Sequence, residues 1–113
     1  MSEKMLKFTN INQKNPSKRN EIERKNDFNE IYAEFIHENA NKQSSRCSQC
    51  GVPFCQVHCP LSNNIPDWLK LTAENRLEEA YELSQSTNNM PEVCGRICPQ
   101  DRLCEGNCVI EQS

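Results

Sequence analysis

The stretch Cys47-Ser48-Gln49-Cys50-Gly51-Val52-Pro53-Phe54-Cys55-Gln56-Val57-His58-Cys59-Pro60 sets four cysteines at the spacing C-x2-C-x4-C-x3-C and follows the last with proline. A second group, Cys94-Gly95-Arg96-Ile97-Cys98-Pro99 and then Cys104-Glu105-Gly106-Asn107-Cys108, reads C-x3-C-P-x4-C-x3-C. These are all 8 cysteines of the chain. Four thiolates complete a ligand set for a zinc ion or for an iron–sulfur cluster. Eight complete two sets with none left over.

The rest of the composition explains why such sets are needed. The chain has 113 residues, room for one domain or one domain with a tail. Leu, Ile, Val and Phe together supply 22 of them. That fraction sits near the level at which a chain cannot bury enough apolar surface to order itself. A thin-cored domain stapled by disulfides, metal ions or clusters is the expectation. No apolar run approaches the roughly 20 residues of a membrane span. Three glycines and no G-x-G-x-x-G or P-loop argue against a self-contained nucleotide-binding enzyme. The N-terminus, MSEKMLKFTNINQKNP, lacks the apolar core of a secretory signal, so a cytoplasmic location is expected. In that compartment thiols stay reduced, and dense cysteines point to metal ligation rather than disulfides.

Three features favour clusters over zinc. Zinc ribbons usually present two C-x2-C knuckles, and this chain has one. Each cysteine group contains a Cys-Pro pair, as the bacterial ferredoxin run does after its fourth cysteine. In that run the fourth cysteine serves the other cluster, and the same crossing would suit this chain. Cys55/Cys59, Cys94/Cys98 and Cys104/Cys108 are each i,i+4, so on helices the sulfurs of a pair lie on one face about one 5.4 Å turn apart. Two clusters held close by shared segments form an electron relay. A structural zinc module that docks proteins stays the competing reading from the residues alone.

All cysteines lie between positions 47 and 108. Residues 1–46 carry net charge +2 and residues 47–113 carry −5. Neither half has the basic excess of a nucleic-acid binder. Residues 1–25 read as a flexible, polar N-terminal arm, and residues 26–113 as the helical cluster domain. Lys14, Lys18, Arg19, Arg24 and Lys25 read as a solvated face, with an arm along an acidic partner as the sharper alternative. Phe28, Ile31, Tyr32, Phe35 and Ile36 recur at helical spacing and predict a helix capped by Asn26 or Asp27, its aromatic stripe in the core. Asn64-Ile65-Pro66-Asp67-Trp68-Leu69 reads as a helix start with Asn64 as cap. A further helix is predicted from Arg76 to about Ser86, broken by Thr87-Asn88-Asn89, and another from Met90-Pro91-Glu92. No stretch alternates as a strand, so the fold class is all-α.

The run Arg46-Cys47-x2-Cys50-Gly51-x-Pro53-x-Cys55-x3-Cys59-Pro60-Leu61 is followed by Asn64-Ile65-Pro66-x-Trp68-Leu69 and Glu79-Ala80. Thr87-Asn88-x2-Pro91-Glu92-x-Cys94-Gly95-Arg96-x-Cys98-Pro99-Gln100 comes next, and then Leu103-Cys104-Glu105-Gly106-x-Cys108-Val109. Together these residues, more than half the chain, resemble the N-terminal cluster domain shared by the NADPH-dependent glutamate synthase small (beta) subunit and dihydropyrimidine dehydrogenase. The resemblance implies an alpha-helical ferredoxin with two [4Fe-4S] clusters. By position it assigns Cys47, Cys50, Cys55 and Cys108 to one cluster and Cys59, Cys94, Cys98 and Cys104 to the other. The dehydrogenase branch lacks a cysteine at the position of Cys94, so the chain is more similar to the glutamate synthase branch.

That resemblance implies an electron-transfer domain with no catalytic residue of its own. Electrons would pass from NADPH through FAD and the two clusters to the large (alpha) subunit, where 2-oxoglutarate and glutamine-derived ammonia become glutamate. FAD and NADPH would belong to downstream domains, so residues 1–113 are expected to be a segment of a longer subunit, with a free-standing relay as the alternative. Another flavin and iron–sulfur oxidoreductase of the family, pyrimidine reductase-like, is the nearest alternative. The implied partners are the large subunit and the chain's own flavin domain, with no nucleic acid and no membrane.

Other residues have simpler readings. His58 reads as a surface group or a support to the site rather than a ligand, and His37 as solvated. Trp68 reads as core that also keeps water from a cluster. Gly51, Gly95 and Gly106 suit turns, or close backbone approach to cluster sulfur. Arg46 and Arg96 would offset cluster charge, or pair with Glu92 or Glu105.

Overall fold

Proline decides where the cysteine-bearing helices begin and end. The computed structural model describes residues 4–34 and 37–112, and its regular elements are helical, apart from an isolated bridge between Lys18 and Tyr32. In chain order the α-helices are α1 (Glu21–Asn26), α2 (His37–Ser44), α3 (Phe54–His58), α4 (Ile65–Ala73), α5 (Leu77–Ser84) and α6 (Pro91–Ile97). Short 3-10 turns occupy Lys7–Thr9, Glu105–Asn107 and Ile110–Gln112.

Pro53 is the N-cap of α3, Pro66 lies in the first turn of α4 and Pro91 opens α6. Each is a place where the missing N–H costs nothing and the fixed φ suits a helix start. Pro60 and Pro99 act at the other end. A residue before proline is pushed out of the α region. Cys59 accordingly takes ψ 121° and Cys98 ψ 143°, which stops α3 and α6 one residue earlier.

α4 packs on α5 and on α2, and α3 packs on the Glu105–Asn107 turn. The apolar core is very small. Among the described residues the buried hydrophobic side chains are Ala73 and Ala80, on α4 and α5, with buried Pro66 nearby. The largest fully buried side chain is that of Ser45. Polar ties supplement this packing. Trp68 Nε1 donates to Asn63 Oδ1 at 2.9 Å, and Asn63 Nδ2 donates to Ser84 O at 2.9 Å, linking the start of α4 to the end of α5. Asn41 Nδ2 reaches Asn75 Oδ1 at 3.3 Å between α2 and the left-handed residue that ends α4. Asparagine tolerates that conformation better than most residues.

The predicted helices α4, α5 and α6 are present. α4 starts where expected, but Asn64 makes no side-chain cap. It accepts from Gln56 Nε2 at 3.2 Å and donates to Ser86 Oγ at 3.3 Å.

The helix predicted from Asn26 through Ile36 is overturned over its described part. Asn26 ends α1, and Asp27 is extended. The Asp27 carboxylate is held by Arg19 in a two-pronged pair at 2.8 and 3.2 Å and also accepts from Asn29 N at 3.0 Å, a local turn that no helix follows. The backbone then pairs sideways: Arg19 N donates to Ile31 O and Ala33 N to Ser17 O, both at 2.7 Å. Phe28, Ile31 and Tyr32 are exposed instead of forming a core stripe. Phe35 and Ile36 lie outside the described residues, as does the side chain of His37.

Residues 1–25, read as an arm, contain most of α1 and a segment that lies along the first cysteine. Leu6 N donates to Cys47 O at 3.1 Å and Lys7 N to Ser45 O at 2.9 Å. Gln43 is held from both sides, accepting from Lys14 N at 2.9 Å and donating to Asn12 O at 3.1 Å.

Two expectations follow. Gly106→Ala would set a Cβ 2.0 Å from the Asp101 carbonyl oxygen, whereas a Cβ at Gly51 meets nothing within 4 Å. Thermal melts of the loaded protein should show G106A destabilised by about 1–3 kcal/mol and G51A near wild type. Removing any metal the cysteines hold should also cost the protein most of its helical circular dichroism, because ligand binding free energy is folding free energy in such domains. An apo-protein with the full helical spectrum would contradict the small core described above.

Candidate metal centre

Each cysteine is placed by a helix end or a tight turn. Cys47 and Cys50 follow α2, and Gln49 between them takes φ 52°, a left-handed turn that folds the C-x2-C segment back on itself. Cys55 sits in the first turn of α3 and Cys59 caps its C-terminus, with Cys59 N donating to Cys55 O at 3.2 Å. Cys94 and Cys98 repeat the arrangement on α6, with Cys98 N donating to Cys94 O at 3.0 Å. Cys104 and Cys108 bracket the Glu105–Asn107 turn. The i,i+4 pairs therefore straddle helix ends, and the second member of each leaves the helix in extended backbone.

All eight cysteines line one cavity of about 500 Å³. Each is half-buried and none is in a disulfide. Trp68, Ile65, Leu69 and Pro66 line the same cavity from α4. Trp68 is half-buried rather than core, and its side chain borders the cavity. Lys14 and Asn15 border it from the N-terminal segment, as do Glu105 and Glu111 near the C-terminal end of the chain.

The electrostatics report which thiols are neighbours. Burial pushes the Cys55 thiol up to about 11, and proximity to Cys47, Cys108 and Cys104 adds to the rise. The Cys104 thiol is also raised, by burial first and with a contribution from Cys98. Loading a metal here must displace these protons, since the thiolate is the ligand.

Among the described residues no three His, Cys, Asp or Glu side chains converge as a single ion would require. The thiols surround a space instead. The cavity of about 500 Å³ has room for a group larger than a single ion. Soft donors, their number and the space between them fit iron–sulfur clusters.

The other sequence-singled residues fall as follows. His58 is exposed, and its Nδ1 lies 3.0 Å from Phe54 O, a local contact within α3. Arg46 neither pairs with Glu92 nor Glu105. It donates to Ile11 O at 2.9 Å and approaches Glu111 at 3.4 Å. Arg96 pairs with Glu30 through both guanidinium nitrogens, which fastens the 27–33 segment to α6. Gly106 is a site of close backbone packing, and its N–H donates to Gln100 O at 3.0 Å.

Sequence reasoning gave no role to three side chains whose amides face the sulfurs, Gln49, Asn88 and Gln100. A signal was present: Gln49 lies between two cysteines and Gln100 two residues after Cys98.

A helical domain that arranges eight thiols around a shared cavity defines the class of ferredoxin-type iron–sulfur proteins. Residues 24–113 match the family described as dihydropyrimidine dehydrogenase domain II, 4Fe-4S cluster, and the chain belongs to that family. It is 72% identical over 112 residues to the glutamate synthase [NADPH] small chain of Azospirillum brasilense, covering 99% of this chain and 23% of that protein. The small chain of Escherichia coli strain K12 is 49% identical over 110 residues, 97% of this chain and 23% of the relative. That of Halomonas elongata is 46% identical over 105 residues, 93% and 22% respectively. The chain spans less than a quarter of the length of these relatives.

The Glu30–Arg96 pair gives a pH prediction. The hydrogen bonds from Arg96 lower the Glu30 carboxyl from 4.5 to about 2. Its folded value lies below its unfolded one, so its contribution to stability is present above about pH 4.5 and is lost as pH falls toward 2. Carboxyl-detected NMR titration should find Glu30 low in the wild type and back in the ordinary range in Arg96→Ala. A Glu30 that titrates normally in both would show that the pair does not form.

Proposed function

We propose that the chain is the electron-transfer domain of a glutamate synthase small chain. In this reading Cys47, Cys50, Cys55 and Cys108 hold one [4Fe-4S] cluster, and Cys59, Cys94, Cys98 and Cys104 hold a second. The observation that carries the reading is the convergence of all eight thiols on one cavity in a chain so similar to small chains of that name. Cys55 has Cys47 and Cys108 of its own proposed set as neighbours and Cys104 of the other, which is consistent with two sites lying close together.

When bound, such clusters supply one-electron redox chemistry. The chain's own task is then placement and insulation. Cys55/Cys59 on α3 and Cys104/Cys108 on the packed 3-10 turn each divide their two sulfurs between the sets, which keeps the two sites close. Trp68, Leu69 and Ile65 line the cavity with apolar surface and limit water. No proton donor or nucleophile is required, because outer-sphere transfer breaks no bond in the protein. In the whole protein the route runs from NADPH through FAD, both in downstream domains, to the large subunit, where glutamate is made. The location is the cytoplasm, where free thiols persist for cluster assembly. Among the described residues no helix is long and apolar enough to cross a membrane.

Anaerobic preparation followed by metal and sulfide analysis tests this reading. It predicts about eight iron atoms with matching sulfide per chain and a reducible electron paramagnetic signal. About two zinc atoms without sulfide would instead identify a structural zinc module.

A further inference from the structure

Three carboxamides approach cysteine sulfurs, each aimed by a backbone anchor. Asn88 Nδ2 lies 3.0 Å from Cys94 Sγ, while Asn88 Oδ1 accepts from Met90 N at 3.1 Å. Gln49 Nε2 lies 3.3 Å from Cys47 Sγ and also donates to Pro66 O at 2.7 Å. Gln100 Nε2 lies 3.5 Å from Cys98 Sγ and donates to Gly95 O at 2.9 Å.

An amide has one accepting end and one nitrogen with two hydrogens. The anchor therefore determines which end faces sulfur. A backbone carbonyl at Pro66 or Gly95 accepts only from the nitrogen, and this leaves its second hydrogen for the thiolate. The Met90 N–H pairs only with the oxygen of Asn88, and this turns the nitrogen toward Cys94. Reversing any of the three amides would set oxygen against oxygen at Pro66 or Gly95, or donor against donor at Met90.

We infer that Gln49, Asn88 and Gln100 are positioning residues that donate hydrogen bonds to ligand sulfurs and raise the reduction potential of the clusters those sulfurs hold. The inference rests on the ligand sets proposed above. A reduced cluster carries one more negative charge than an oxidised one. A donor at sulfur stabilises the more negative state, and the bond strengthens as the sulfur gains charge. The effect is divided between the sites. Asn88 and Gln100 act on the Cys59, Cys94, Cys98 and Cys104 set, and Gln49 acts on the Cys47 set. The distances rank the effects, with Asn88 largest and Gln100 smallest.

The test is a redox titration of the cluster-loaded protein followed by electron paramagnetic resonance, with iron and sulfide counted in every sample. Asn88→Ala should lower the midpoint of one cluster and leave the other unchanged. Asn88→Asp, which keeps an acceptor for Met90 N–H but replaces the donor with a charged oxygen, should lower the same midpoint further. Gln49→Ala should move the other cluster. An Asn88→Ala protein with full iron and an unchanged midpoint would overturn the inference. Should that variant fail to assemble, the wild type decides. Pulsed resonance on protein carrying 15N only in its Asn and Gln side-chain amides should detect coupling from those nitrogens to the reduced clusters, and its absence would overturn the inference. A wild type without iron and sulfide would contradict the proposed function instead.

Discussion

Eight sulfurs must reach one cavity, and that requirement organises the rest of the molecule. A hydrophobic core of ordinary size would force helices to pack on one another along their lengths. Here the buried apolar side chains among the described residues are Ala73, Ala80 and Pro66, too few to hold a domain of this size. The helices instead end at the cavity. Their lengths, five residues for α3 and seven for α6, are set by prolines at both ends. Ending the helix just before Cys59 and Cys98 lets each sulfur pair straddle a change of direction.

The segments outside the cysteine motifs are fastened to this frame by polar contacts. Arg46, one residue before Cys47, reaches Ile11 and Glu111, and so joins the two ends of the described chain. Arg96, between Cys94 and Cys98, holds Glu30. Arg46–Glu111 joins the basic first 46 residues to the acidic remainder as their charges suggest, whereas Arg96–Glu30 runs the opposite way, from an arginine of the acidic half to a carboxylate of the basic one. Exposed ion pairs contribute little to stability. Their use here is to fix where the 6–14 and 27–33 segments lie.

Much of this was legible in the sequence because the determinants are local. Cysteine spacing and Cys-Pro pairs are read directly, and the starts of α4 and α6 follow from Pro66 and Pro91. The region after Asn26 was misread because helical spacing of Phe28, Ile31 and Tyr32 is only permissive. The deciding contacts were an ion pair from Arg19 and sideways hydrogen bonds with residues 17–19, neither of which leaves a periodic mark. The amides of Gln49, Asn88 and Gln100 were missed for a related reason. An amide is assigned a role only by the partner that orients it, and Pro66, Met90 and Gly95 become those partners through folding.

The central claim is that these eight thiolates enclose polynuclear iron rather than single ions. Anomalous diffraction from crystals of the loaded protein, recorded on both sides of the iron absorption edge, tests it most directly. The account predicts two compact groups of about four iron atoms each, one contacted by Cys47, Cys50, Cys55 and Cys108 and the other by Cys59, Cys94, Cys98 and Cys104. Isolated single scatterers at the zinc edge, or iron bound by other side chains, would contradict it.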